Sequence, residues 1–177
     1  MQNKSLPSGQ RRTKGGKFIP ALCNVVGTLI LLSVIVTCLP ATVPRLLGYE
    51  VYNVVSGSMQ PKIPVGSMIF VKPADPGTLK EGDIIAFHSQ DSVITHRVVK
   101  NNEVEGKFTT KGDANAGEDM NDVPYDAVIG EVTYHCPLLG ELLWVYTSTV
   151  GKAYAVCFAA CGAMFNILAG RMRERER

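Results

Sequence analysis

The sequence predicts a mostly β protein: a compact, antiparallel, β-barrel-like domain carried between N- and C-terminal transmembrane helices. Three observations point there. Apolar residues gather into a long run near each end of the 177-residue chain. Between the runs, from residue 49 to 140, short β-branched or apolar stretches alternate with Gly, Pro, Asn and Asp, the punctuation of strands and turns. The middle contains no long amphipathic helical pattern and no internal repeat.

The elements follow in order. Residues 1–17 are a basic segment with Lys4, Arg11, Arg12, Lys14 and Lys17. The apolar run at 18–39 comes next, and at about 1.5 Å per residue a helix of that length crosses a ~30 Å hydrocarbon core. A cleavable leader is the rival reading, but its apolar region is only about 7–15 residues and ends at a small-residue cut site. Past this run only Arg45 precedes Glu50, so the positive-inside rule keeps the N-terminus in the cytoplasm.

Residues 45–141 read as an extracytoplasmic β domain. Val65-Gly66-Ser67-Met68-Ile69-Phe70-Val71 and Glu81-Gly82-Asp83-Ile84-Ile85-Ala86-Phe87 each feed a strand from a glycine turn. Residues 92–100, a polar connection at 101–103 and residues 104–110 read as a hairpin, and 127–134 as a further strand. About six short strands in so little chain favour a barrel or folded sheet. A second span is expected at 146–169, with Trp144 and Tyr146 suited to the interface and an arginine-rich cytoplasmic tail at 170–177. The alternative is a helix packed on the ectodomain, which would leave a single-pass protein in the cell membrane.

Composition narrows the function classes. The net charge is +2 with a pI near 8.3, but the basic residues lie at the termini, so no nucleic-acid surface is expected. Cys23, Cys38, Cys157 and Cys161 sit in the apolar runs, where a thiol behaves as a small hydrophobe, and no disulfide framework is implied. Cys157 and Cys161 share a helix face without a histidine or acid beside them, so packing is favoured over metal binding. No metal or cofactor is expected. Cys136, followed by Pro137, reads as structural.

Three segments carry chemistry. Val54-Val55-Ser56-Gly57-Ser58-Met59-Gln60-Pro61 is an apolar strand running into a small turn that can expose a hydroxyl. It is not the Gly-x-Ser-x-Gly elbow of the α/β-hydrolases, and a serine needs a base within hydrogen-bond reach. A base is available in Val93-Ile94-Thr95-His96-Arg97-Val98-Val99, where alternation puts His96 on an apolar face with Ile94 and Val98. The plain alternative is a core histidine with a satisfied partner. Thr110-Lys111-Gly112-Asp113 and the loop through Asp119 offer a carboxylate to orient an imidazole, or else a solvated loop. Their acids lack the alternate spacing of a calcium loop.

Together these segments resemble the type I signal peptidases over most of 51–130. Ser56-Gly57-Ser58-Met59 with Pro61 is similar to that family's nucleophile box, and Gly66-Ser67-Met68-Ile69-Phe70-Val71 and Gly82-Asp83-Ile84-Ile85-Ala86-Phe87 also look like it. Thr95-His96-Arg97-Val98 resembles the Ser/His branch found in the endoplasmic reticulum, archaea and sporulating Gram-positive bacteria, whereas the usual bacterial branch has a lysine. The resemblance implies a membrane-bound serine endopeptidase that removes signal peptides after small residues through an acyl-enzyme. It implies Ser58 as nucleophile, His96 as general base and Asp119 as the third member, with Asp113 the second candidate. Ser56, Ser58 and Met59 would form the oxyanion and substrate-binding elements. The implied partners are signal peptides of secreted preproteins, the lipid bilayer and, as a candidate, the secretion translocon. Two rivals stand: a Ser/Lys peptidase using Lys111 or Lys100, related to the self-cleaving repressor peptidases of similar fold, and a non-catalytic membrane-anchored β binding module.

Overall fold

The computed structural model describes residues 18–90 and 92–175. The basic segment at 1–17, Asp91, Glu176 and Arg177 lie outside them. The described residues divide into two units, one of residues 18–35 with 155–175 and one of residues 36–90 with 92–154.

Two long helices serve the first unit. Helix α1 spans Phe18–Leu46 and helix α3 spans Thr149–Arg175. Their most apolar windows have mean hydropathies of 2.4 and 1.7, and both are long enough to cross a membrane. Helix α1 runs past the expected end at 39, through Pro40 and Pro44, because the apolar signal fades before the helical backbone does. Within the unit the helices touch at glycines. A Cβ on Gly27 would stand 2.7 Å from the Gly162 carbonyl oxygen, and one on Gly162 would stand 3.0 Å from that of Gly27. Beside them the Thr28 hydroxyl donates to Asn166 Oδ1 at 3.4 Å. Small residues with a polar clasp let helices approach closely where lipid supplies no hydrophobic drive.

The second unit is built on a sheet. Its strands are β1 (Glu50–Asn53), β2 (Met68–Lys72), β3 (Ile84–Ser89), β4 (Ser92–Asn102), β5 (Lys107–Lys111), β6 (Val123–Pro124) and β7 (Val128–Cys136). They form one seven-stranded sheet in the order β1-β2-β7-β3-β4-β5-β6, and each neighbouring pair is antiparallel. The antiparallel expectation holds. Barrel closure does not: among the described residues no ladder joins β1 to β6, and the sheet is open. The edges explain this, since β1 has four residues and β6 only two, one of them a proline without a donor. Bulges at Phe70/Val71, Ala86/Phe87 and Val98/Lys100 bend the sheet instead.

Two apolar clusters flank it. Alternation along β3 sends Ile85 and Phe87 to one, with Val98, Phe108 and Val123, and Ala86 to the other, with Met59, Ile63, Ile69 and Val71. The hairpin is longer than expected, because Asn101 and Asn102 stay in β4 opposite Phe108 and Lys107. Asn101 tolerates a strand position because it donates to Leu79 O at 3.0 Å and accepts from the Tyr125 hydroxyl at 2.5 Å. After β7, residues 142–146 belong to a separate helix α2, Leu139–Thr147, which Ser148 ends in extended geometry. Helix α2 packs on β1 and β2, where Leu143 joins Val51, Met68 and Ala41 in a third cluster.

Candidate active site

The loop carrying Ser58 runs from β1 to β2 and is closed at its base by two backbone bonds. Val54 N–H donates to Ser67 O at 2.9 Å and Gly66 N–H to Val54 O at 2.8 Å. Met59 and Ile63 pin the loop from below, being 2% and 0% exposed in the core. This leaves Ser56 and Ser58 on top, with their hydroxyl oxygens 3.4 Å apart. The Ser58 carbonyl accepts from Ala114 N–H at 2.8 Å. At Gly112 a Cβ would stand 2.7 Å from that carbonyl oxygen, so the acidic loop leaving β5 lies directly against the serine's backbone.

Strand β4 supplies the next residues by alternation. His96 is 8% exposed, with the Phe87 ring edge-on to it at a centroid distance of 6.4 Å. Its Nδ1 lies 2.5 Å from Asp119 Oδ2. The same carboxylate oxygen accepts from the fully buried Thr110 hydroxyl at 2.6 Å, and Asp119 N–H returns to Thr110 O at 2.8 Å. Asp119 is thereby held at both its backbone and its side chain by one β5 residue.

Arg97 takes the other acid. Its Nε donates to Asp113 Oδ1 at 2.8 Å and its Nη2 to Asp113 Oδ2 at 2.6 Å, while Nη1 donates to Gly82 O at 2.6 Å. The hydrogen bond from Arg97 holds the Asp113 carboxyl below the usual carboxylate range against the opposing effect of burial, and the charges of Arg97, Lys62 and His96 add to it. The same bond raises the Arg97 guanidinium above its ordinary value.

A groove of about 320 Å³ opens beside the serine loop, lined by Tyr52, Val54, Val55, Ser56, Ser58, Met59, Val93 and Thr95 among others. Its walls are mainly apolar, with hydroxyls at the loop. The Tyr52 phenol is pushed up to about 12, first by burial and then by its hydrogen bond to Glu50 and that carboxylate's charge.

Of the residues singled out in the sequence, Ser56, Ser58 and Met59 share this groove, and His96 stands with Asp119. Asp113 stands with Arg97. Lys111 donates to Ala116 O at 3.4 Å, within its own loop, and Lys100 is exposed on β4. Sequence reasoning missed Thr110, the Ala114 amide and the cramped Gly112. The available signal for Thr110 was the alternation of buried Phe108 and Thr110 along β5.

Comparisons with known proteins give the following matches. The family described as signal peptidase, peptidase S26, matches residues 27–111. Signal peptidase I W of Bacillus subtilis is 37% identical over 94 residues, covering 51% of this chain and 50% of the relative. The signal peptidase complex catalytic subunit SEC11C of Homo sapiens is 37% identical over 122 residues, 62% of this chain and 63% of the relative. The corresponding SEC11 subunit of Zygosaccharomyces rouxii is 28% identical over 130 residues, 64% and 75%. The chain thus spans half to somewhat under two thirds of the first two relatives. Over residues 27–111 the chain is similar to the signal peptidases.

Proposed function

We propose that this protein is a membrane-bound serine endopeptidase that removes signal peptides from exported preproteins after small residues. The observation that carries the reading is the contact of His96 Nδ1 with an Asp119 carboxylate fixed by Thr110, in the loop whose Ala114 N–H bonds the Ser58 carbonyl. A carboxylate at Nδ1 keeps the proton on that nitrogen and leaves Nε2 as the acceptor, the tautomer a general base needs. His96 takes the Ser58 proton as Ser58 Oγ attacks the scissile carbonyl. The leaving amine then receives that proton, and water releases the acyl group from Ser58 by the same base.

The developing oxyanion needs donors fixed in advance. The Ser58 N–H and the Ser56 hydroxyl take that role here, and loss of one such donor costs roughly 10²–10³ in rate. The open groove suits an extended peptide with small side chains near the cut. Asp113 has a different task. Its bidentate pair with Arg97 tethers the loop whose Ala114 N–H holds the Ser58 carbonyl.

Helices α1 and α3 serve as two spans, with both termini cytoplasmic and the β domain outside. The Gly27–Gly162 contact supports a paired arrangement. Tethering puts the site where a signal peptide leaves the bilayer, which raises effective concentration without tight binding. The partners are signal peptides, the bilayer and the secretion translocon. The names of the relatives, signal peptidase I and signal peptidase catalytic subunit, support this substrate class. The test is incubation of detergent-solubilised full-length protein with a preprotein. Wild type should release the mature protein and Ser58→Ala should not; processing by Ser58→Ala at the wild-type rate would overturn the reading.

A further inference from the structure

We infer that Gly140, at the start of α2, is a positioning residue for the nucleophile: through it helix α2 braces the loop that carries Ser58. This inference rests on the peptidase reading above and names a part of the machinery outside the segments that hold Ser58, His96 and Asp119.

The brace passes through one residue. Gly66 N–H closes the nucleophile loop by donating to Val54 O at 2.8 Å, and Gly66 O accepts from Gly140 N–H at 3.0 Å. The loop's closing bond and its bond to α2 are therefore made by the same residue. Gly66 sits at φ 79, in the left-handed region that favours glycine, so its local geometry is itself specialised.

Packing at this point leaves no tolerance. A Cβ on Gly140 would stand 2.7 Å from both Gly66 O and Ser67 O, and 2.1 Å from Asn53 Oδ1. The first two are backbone atoms, and Ser67 O is the acceptor of the second closing bond, from Val54 N–H. The third belongs to the last residue of β1, which also lines the groove. Asn53 Oδ1 is buried without a hydrogen-bond partner, the only such side-chain atom among the described residues. Orphaned buried oxygens are rare and costly, and here one lies where Gly140 presses in. A side chain at 140 has to displace β1, the loop's base, or α2.

Helix α2 is held firmly enough to act as a brace. Leu143 is 3% exposed and packs with Val51 of β1 and Met68 of β2, the residue after Ser67, while Leu139 packs against the same cluster. The chain reaches it from β7 through Leu138, in a left-handed turn at φ 68. Small displacements of Ser58 matter because a misplacement of about 1 Å can cost ~10²-fold in rate.

The experiment uses the full-length protein in detergent, with preprotein kinetics and hydrogen exchange. Gly140→Ala should lower kcat about tenfold or more and raise KM by a smaller factor, since Asn53 and the loop also line the groove. Exchange over 54–67 should quicken, and the acidic limb of the pH profile should stay in place because His96 and Asp119 are undisturbed. Leu139→Ala loosens α2 without a clash and should lower kcat several-fold in the same pattern; it decides the matter if Gly140→Ala does not fold. The exposed control Glu141→Ala should match wild type. Folded Gly140→Ala or Leu139→Ala with wild-type kcat, or with a change in KM alone, would overturn the inference. A wild-type protein that cuts no preprotein would instead remove the peptidase reading and this inference with it.

Discussion

His96 and Arg97 are consecutive residues of β4, and each captures one of two carboxylates from a single loop, yet the two pairs behave as different devices. Arg97 grips Asp113 with two parallel bonds, at 2.8 and 2.6 Å, and a guanidinium stays charged across the working pH range. Asp113 is thereby committed as an anion, and its loop is tied to the sheet. His96 engages Asp119 through one ring nitrogen only, at 2.5 Å, leaving the other for chemistry. Alternation along one strand has separated a doubly bonded tether from a singly bonded pair, with their two acids six residues apart on the loop.

The largest effects should come from the proposed base and nucleophile. Ser58→Ala and His96→Ala should each lower kcat by about 10⁴-fold or more, and the double variant should be hardly worse, because nucleophile and base act as a unit. Single-turnover processing checks this; additive losses would separate the two residues.

The tether should show up in stability as well as in rate. Asp113→Asn should lower kcat by about ten- to a hundredfold by loosening the loop on Ser58. Because Arg97 depresses the Asp113 carboxyl, the pair stabilises the fold fully above the unfolded-state value near 3.9 and loses that contribution as pH falls through the lower folded value. The Tm gap between wild type and Asp113→Asn should therefore be open at pH 6 and close on acidification below about pH 4. A gap that is constant down to pH 2 would contradict the tether. The smallest effect is expected at Lys111, which bonds a carbonyl in its own loop. Lys111→Ala should keep activity within a few-fold of wild type, and its inactivation with an intact fold would restore the Ser/Lys alternative.

The comparison also marks what the sequence could reveal. Ser58 and His96 stand out as candidates because a Ser-Gly-Ser-Met turn and a histidine inside a β run are local patterns. The division between Asp113 and Asp119 was not, since both lie in one loop and their partners depend on which strand face each reaches. The bulge at Val98/Lys100 sets that register and brings Thr110 opposite Val98. Thr109 and Thr110 look alike in sequence, yet one bonds Asp122 and the other Asp119. Strands fed by glycine turns were found, but sheet closure depends on the lengths of distant edges. The apolar continuity of 142–146 with the following run concealed the break at Ser148. There the Ser148 hydroxyl donates to Val145 O at 2.8 Å and accepts from Gly151 N–H at 3.0 Å.

The most direct test of the central claim, that Asp119 serves the base and Asp113 the tether, is the acidic limb of kcat/KM in wild type, Asp113→Asn and Asp119→Asn. Loss of the carboxylate beside an imidazolium removes its stabilising charge, so Asp119→Asn should lose rate and move the limb to lower pH. Asp113→Asn should lose rate with the limb almost unmoved. A limb that shifts in Asp113→Asn and stays fixed in Asp119→Asn would contradict the account.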